Sequence, residues 1–565
     1  MPARKNKKRT HGTAQGQRRR REVSEAPIRT IVHVAREFEG LAGAGGMKDV
    51  VQGLCKASAA AGIDTHAILP YYRLIDKTVH LDGKKSLAFE VPMNYLSQNR
   101  TESVIVWSVQ IEEKLTAHLI DAHRFRYLTE GHGTIERHGL YQYTEEEALA
   151  LGLPQLKGAG YFDFFGMNVL LVKSALKIIG DMPKKPDVIH CHDGHSALLP
   201  LIAQTSYEGF DPILAHIPTV LTIHNAGKGY HQELADLAFA STVCGMPLDV
   251  VAGCLLDDKF DPLLAGALFC RVVNTVSENY AYELQHTGQD ALTGWLGHAL
   301  AAQGIELVGV TNGVDHEAFD PREAARLGLP RSFSPMDGDL SGKEACKEQT
   351  LKTLESGQPD DVKLHGKVSY APETPLLTFI SRLESQKGMD ILADSAEQLF
   401  SEHEDVQLLG LGTGDSRLED RFKELAERFE GRVCFALGYN QALATAIYAA
   451  GDFFLIPSRY EPCGLTDFYA QLMGNVPIVH RVGGLVKTVD GRFGFSYVGG
   501  KRELVTAIRR ALKAYREPGK RTLRKIQVAA VKNVLENFTW GKVLEKKYLP
   551  LYETAIARSQ PVMPY

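Results

Sequence analysis

Short apolar runs ending in polar or turn residues recur along this chain in two series, each alternating with helix-length segments. Residues 30–35, 67–70, 188–190, 219–223, 272–275 and 307–310 form the first series of strand-like runs. Residues 376–380, 406–410, 433–437, 453–456 and 476–479 form the second. Runs that are apolar throughout belong to parallel sheets covered on both faces, and parallel strands need crossover helices between them. The pattern therefore predicts an α/β fold of two Rossmann-like, doubly wound domains facing a cleft. Residues 81–121 interrupt the first series with alternating β-formers, such as Phe89-Glu90-Val91 and Ser103-Val104-Ile105-Val106-Trp107, which predicts an antiparallel excursion. A charge-rich helical connector at 341–354 and a loose stretch at Gly357-Gln358-Pro359-Asp360 separate the two series. At 565 residues the chain exceeds what a single core fills. The expected division is a first domain at 30–340, a second at 341–540, and a C-terminal helix within 541–565 that packs back toward the first.

Residues 1–29 stand apart. Met1 to Thr30 holds ten Lys/Arg against two Glu, with Arg18-Arg19-Arg20-Arg21 as the densest block. Low in apolar residues and without a signal peptide's apolar core, the segment reads as a disordered, solvated basic arm. Such an arm has the charge to touch a polyanion, but nucleic acid is not an expected partner. The chain as a whole, 44% apolar and 23% charged with a net charge of −4, is ordinary for a globular protein. No apolar run approaches the ~20 residues of a membrane span, so no membrane partner is expected. Eight cysteines without a Cys-x-x-Cys pair suit buried thiols in a reducing cytoplasm, not disulfides or a zinc site. Nothing in the sequence specifies an oligomeric state.

The most informative local string is 457–489. Pro457-Ser458 ends a strand, Glu461 sits in a turn opened by Pro462 and Gly464, and apolar spacing turns helical through Phe468, Tyr469 and Leu472. A carboxylate is thereby held at the C-terminal edge of a sheet, beside the free N–H groups of a helix start. Ligands of open α/β sheets bind at that edge, and such N–H groups suit anionic or hydroxyl-rich ligands. Gly483-Gly484, after the next strand, leaves room for a polar group to approach the backbone. Ser381-Arg382-Leu383 follows another strand directly, and Lys387-Gly388 comes five residues after the arginine. Arg382 and Lys387 can both reach over the same edge, where paired cations would stabilise a departing diphosphate. In the first half, His190-Cys191-His192-Asp193-Gly194-His195 groups residue types that bind metals. Strand alternation sends neighbours to opposite faces, which argues against a shared metal there. Asp337-Gly338-Asp339 falls in an expected loop and not in a sugar-diphosphate metal site.

The 457–489 string resembles the nucleotide-sugar site of retaining glycosyltransferases with the GT-B fold. Its core, Glu461-Pro462-Cys463-Gly464-Leu465-Thr466, resembles the glycogen and starch synthases. Residues 381–390 are similar to the synthase pattern nearly position for position. The resemblance runs from about 31 to 556, strongest over 378–489 and weakest over 122–175. It implies a glucosyltransferase needing neither metal nor cofactor. Glucose would pass from a nucleotide-diphosphate glucose, ADP-glucose or UDP-glucose with the former favoured, to the non-reducing end of an α-1,4-glucan. The resemblance assigns His224, Arg382, Lys387 and Glu461 to catalysis. It assigns donor binding to Gly45, Gly46, Asp49, Asn312, Tyr439, Cys463, Gly464, Leu465 and Thr466, together with Arg382, Lys387 and Glu461. His192 and Asp193 fall on the acceptor side. Tyr439 stands where the family stacks an aromatic ring on the nucleotide base, and His224 beside the sugar in transfer.

Two departures matter. The synthase loop reads Lys-x-Gly-Gly-Leu, then Asp one residue later, whereas this chain reads Gly43-Ala44-Gly45-Gly46-Met47-Lys48-Asp49. One phosphate-facing charge is therefore missing at Gly43 unless Lys48 or Lys228 replaces it, a loss worth about 2–4 kcal/mol in the transition state. Gly194 stands where the family has Trp. These departures keep two alternatives open: a related transferase with another donor or acceptor, and a catalytically weak glucan-binding or regulatory homologue.

Overall fold

The computed structural model describes residues 28–77, 84–96, 98–130 and 133–558. The expected basic arm lies outside the described residues, apart from its last two.

Strands β1 (Thr30–Val34), β2 (Asp64–Pro70), β3 (Lys84–Pro92), β4 (Thr101–Glu112), β5 (Leu115–Ala122), β6 (Val188–His192), β7 (Thr219–Ile223), β8 (Val272–Thr275) and β9 (Leu307–Gly309) form one sheet. Their order is β9-β8-β7-β6-β1-β2-β5-β4-β3. All neighbours pair in parallel except β5 with β4 and β4 with β3, which form the antiparallel excursion. Strands β10 (Val362–Val368), β11 (Leu376–Ile380), β12 (Gln407–Gly412), β13 (Arg432–Gly438), β14 (Phe453–Ile456), β15 (Val476–His480) and β16 (Phe495–Tyr497) form the second sheet. Their order is β10-β13-β12-β11-β14-β15-β16, parallel but for β10 on β13.

Strands β10 and β16 were not expected from the sequence. Both lie at sheet edges. In β10, Lys363, His365, Gly366 and Lys367 break the apolar run that marks an interior strand. Edge strands carry such residues because one side stays unpaired.

Each sheet reverses its winding once. From β1 the chain first builds outward through β2, then returns to the other side at β6. From β11 it builds through β12 and β13, then returns at β14. At such switch points the loops after adjacent strands diverge and leave a crevice. The crevice of the first sheet lies between the loops after Val34 and His192, that of the second between the loops after Ile380 and Ile456.

The chain crosses between domains twice, side by side. Val314 N–H donates to Phe538 O at 2.8 Å, and Trp540 packs against the backbones of Gly53 and Gly313. A Cβ on Gly313 would lie 2.6 Å from Trp540 Cδ2, so only glycine fits there. After Trp540 the helical run 540–557 lies on the first domain. Val543, Leu544, Tyr548, Leu551 and Tyr552 join Ile31, Val188, Val220 and Val272 in one buried cluster. The helix makes one π turn at Leu544–Tyr548. Pro550, lacking an N–H, follows closely. Among the described residues no helix is long and apolar enough to cross a membrane. All eight cysteines are free and buried.

Candidate active site

The switch point of the second sheet brings Lys387 and Glu461 together. Lys387 Nζ stands 3.0 and 2.8 Å from the two Glu461 carboxylate oxygens. Ser458 Oγ donates to the same carboxylate at 2.8 Å. Burial alone would push Glu461 up. Lys387, Ser458 and the nearby charge of Lys487 outweigh it and hold the carboxyl below the ordinary range. Arg382 does not join this pair. It meets Glu384 at 2.8 Å on the exposed rim.

The turn carrying Glu461 is locked from behind. Gly484 N–H donates to Glu461 O at 2.9 Å. Gly483 has φ +47, and a Cβ on it would overlap Glu461 O. The polar group that Gly483-Gly484 admits is thus this turn itself. Lys487 Nζ binds the carbonyls of Cys463, Gly464 and Gly484 at 2.6, 2.7 and 3.1 Å, and pairs with buried Asp467 at 3.0 Å. Gly464, at φ +72, lets the chain turn into the helix Thr466–Leu472, which Leu465 caps. Cys463 is buried among the first domain's core residues. Burial pushes its thiol up to about 11, which leaves it un-ionised at neutral pH. The Gly-rich segment 410–414 is a packing device: a Cβ on Gly414 would lie 2.9 Å from Leu383 N.

The first domain closes on this turn. Ser277 caps the helix Glu278–His286 by accepting from Tyr280 N–H at 3.2 Å, and its hydroxyl donates to Pro462 O at 2.7 Å. Asn279 donates to Gly483 O at 3.0 Å, and Gly483 N–H reaches Glu283 at 3.0 Å. Tyr460 Oη donates to Asn225 Oδ1 at 3.1 Å and also meets the Tyr280 hydroxyl. Glu461 and His224 are therefore the chain neighbours of two residues bonded across the cleft.

Burial pushes His224 down to about 3, so its ring is neutral. Asp193, at φ +56, accepts from the N–H groups of His224 and Asn225 at 2.6 and 3.4 Å. Burial pushes it up to about 7 against these bonds. One Asp193 oxygen thus supports the His224 backbone. His192 is wholly buried with both ring nitrogens engaged by other histidines. In this structure His192 therefore has no ring nitrogen left over for a ligand. Space beside Gly194 is filled: a Cβ there would lie 2.8 Å from Tyr230 O and 3.0 Å from His231 O. His33, His190 and His192 each bring one ring nitrogen within 4.8 Å of the others. Hydrogen bonds account for all their ring nitrogens except His33 Nε2.

A second group lines an interdomain cavity of about 1550 Å³ that includes Gly45, Lys48, Asp49, Tyr439, Leu465 and Tyr469. Glu461, Lys387, Arg382, Asn312 and His224 do not line it. Tyr439 is 65% exposed, its hydroxyl bonded to Gln441 Oε1 at 2.5 Å. Gly46 caps the helix Met47–Ala60, and a Cβ on it would meet Leu465 Cδ1 across the cleft at 4.0 Å. The N–H groups of Ala44 and Gly45 donate to buried Glu37 at 2.8 and 3.0 Å, so an internal carboxylate occupies the loop's donors. Lys48 packs over Gly43, and its amine meets Glu39 and, at 3.3 Å, Asp49. Burial raises Asp49 above the ordinary carboxylate value, with Lys48 opposing. Asn312 is buried, and its Oδ1 has no partner among the described residues.

Sequence reasoning missed Lys487, Tyr460, Ser458, Glu37 and His33. Ser458 and Tyr460 closely precede Glu461 within 457–489 and could have been weighed with it. Lys487 follows Gly483-Gly484 closely, whereas nothing local marked Glu37 or His33.

Two parallel-sheet domains with the Glu461 turn at their shared cleft define a GT-B glycosyltransferase. Residues 30–298 match the family described as the starch synthase catalytic domain, and 374–514 match glycosyl transferases group 1. The glycogen synthase of Syntrophotalea carbinolica is 31% identical over 93% of this chain and 99% of its own length. Glycogen synthase 1 of Geobacter metallireducens is 31% identical over 81% and 82%. The chain belongs to the glycogen synthase family. The catalytic domain of starch synthase IV from Arabidopsis thaliana has the same fold, with a TM-score of 0.73 at 24% identity over 94% of this chain and 100% of that one.

Proposed function

We propose that this glycosyltransferase carries glucose from ADP-glucose to the non-reducing end of an α-1,4-glucan, with retention at the anomeric carbon. The observation that carries this reading is the Lys387–Glu461 pair at the second sheet's switch point, closed over by the first domain. The Arabidopsis neighbour was solved with ADP and acarbose, a nucleoside diphosphate and an oligosaccharide analogue, which supports the same pair of ligands here. Exposed Tyr439, on the neighbouring interdomain cavity, offers a ring to a base.

In the proposed reaction the acceptor's 4-hydroxyl attacks C1 of the donor glucose from the face that the diphosphate leaves. The C1–oxygen bond breaks, the diphosphate takes the charge, and its oxygen receives the hydroxyl proton. Lys387 and Arg382 would balance that charge. Glu461, held ionised by Lys387, would accept from sugar hydroxyls and fix the ring. Asn312 Oδ1, a buried acceptor without a partner among the described residues, would take another hydroxyl.

The alternative of a catalytically weak homologue rests on Gly43. Lys48, packed over that glycine, argues for a cation supplied from elsewhere in the loop. Glucose transfer from ADP-glucose and from UDP-glucose, assayed separately onto glycogen and short maltooligosaccharides, tests both readings. Turnover with ADP-glucose upholds the proposal. Turnover with UDP-glucose alone changes the donor, and silence with both despite glucan binding favours the weak homologue.

A further inference from the structure

A chain of imidazoles runs inward from His224. His224 Nε2 stands 3.0 Å from His192 Nδ1. His192 Nε2 stands 3.1 Å from His33 Nδ1. His33 and His192 are wholly buried, with their rings stacked at 16°. His190 packs beside them but stays outside the chain. Its Nδ1 lies 2.9 Å from the Tyr552 hydroxyl and its Nε2 2.6 Å from Thr222 Oγ1. Burial holds all three rings of the chain neutral, pushing His33 and His224 down to about 3 and His192 well below the ordinary value.

A neutral imidazole has one N–H and one lone pair. The chain therefore points one way or the other: every ring donates toward His224, or every ring donates away from it. The inner end decides. His33 Nε2 is buried with no partner among the described residues. Donation away from His224 would strand an N–H there, whereas donation toward it strands only a lone pair. Proteins tolerate an under-satisfied acceptor more often than an orphaned donor. The direction is thus His33 Nδ1–H to His192 Nε2, then His192 Nδ1–H to His224 Nε2. The proton of His224 is left on Nδ1, the ring nitrogen with no bond to a described residue.

We propose that His33 and His192 are positioning residues that hold His224 as its Nδ1–H tautomer, making it a hydrogen-bond donor to the sugar in transfer. The functional half rests on the reading that His224 lies beside that sugar. The tautomer itself does not.

Long-range 1H–15N correlation spectra of the full chain, with 15N-labelled histidine and no substrate, show which nitrogen of each ring carries the proton. His224→Gln and His33→Phe identify the resonances. The expected spectrum has His224 protonated at Nδ1 in the native chain and shifted toward Nε2–H in His33→Phe, where His192 loses its donor. Native His224 protonated at Nε2 overturns the proposal. Kinetics add a second arm. His192→Asn keeps an N–H near the Nδ1 position, while His192→Leu removes it. The expected kcat stays within about threefold for Asn and falls roughly tenfold for Leu, the size of one neutral hydrogen bond, with donor KM unchanged. Equal loss in both variants overturns the positioning role. A silent native enzyme with the expected tautomer would undo the functional reading alone.

Discussion

The side chain of Lys48 lies over Gly43 so closely that a Cβ on the glycine would overlap Lys48 Cδ and sit 3.0 Å from its Cβ and Cγ. The space where a side chain at 43 would begin is already occupied by a cation five residues further on. Lys48 reaches this place from the first turn of the helix Met47–Ala60, and its amine rests on Glu39 and Asp49.

A lysine introduced by Gly43→Lys must displace Lys48, so turnover is expected not to rise. Lys48→Ala alone should lower kcat about tenfold or more, the loss of one charge-assisted hydrogen bond of ~1.5–3 kcal/mol. The double variant Gly43→Lys, Lys48→Ala should recover most of it. Steady-state kinetics of the three variants check this. A large gain from Gly43→Lys alone would mean that Lys48 supplies nothing.

The Lys387–Glu461 pair should be needed for both chemistry and the turn. Lys387→Ala leaves a mostly buried carboxylate without its cation and is expected to cost about 3–5 kcal/mol of stability. Glu461→Gln should fold better yet lose at least a hundredfold in kcat. Because the folded carboxyl lies below its ordinary value, its contribution is complete above about pH 4.5 and is lost as pH falls through the folded value. Acid unfolding curves of native and Glu461→Gln protein should converge only below that pH.

Gly483→Ala requires a side chain at φ +47 and against Glu461 O. Displacement of the turn should break the 2.9 Å bond from Gly484 N–H, lowering kcat strongly with a smaller change in glucan affinity. Calorimetry of glucan binding beside kinetics separates the two effects.

His231 bridges Asp261 and Ala226 O, donating from Nδ1 at 2.5 Å and from Nε2 at 2.8 Å. With both nitrogens donating, the ring is an imidazolium. Burial opposes this, but Asp261 and the carbonyl raise His231 above 6.5. Its contribution is full below about 6.5 and is lost as pH rises through the folded value. Between pH 6 and 9 the native Tm should fall more than that of His231→Gln, read by thermal melts across that range.

Tyr439 is exposed, so Tyr439→Ala should leave Tm unchanged. Loss of base stacking, worth ~1–3 kcal/mol, should raise the donor KM roughly 5- to 100-fold. An unchanged KM would move the base elsewhere.

The interior strands were legible because each must be apolar on both faces, and β7, β8, β11 and β14 begin and end where the sequence predicts. The edge strand β10 was not, since Lys363, Gly366 and Lys367 obey no such demand. The Glu461 turn was legible because Pro462, Gly464 and Gly483 record local backbone needs. The partners of His192 were not legible, for the opposite reason. A strand-end histidine shows its residue type and not its partners, and both of its ring nitrogens are spent inside the protein.

The sequence by itself determined the alternation of strand and helix, the two parallel sheets, and the glycines that particular backbone conformations and close contacts require. All are consequences of local periodicity and sterics. Tertiary structure decided which charges meet. Lys387 and Glu461, 74 residues apart, meet because their strands flank a switch point. His33 and His192, 159 apart, meet because β1 and β6 flank the other. Winding order is a property of the whole sheet, and no local stretch of residues encodes it.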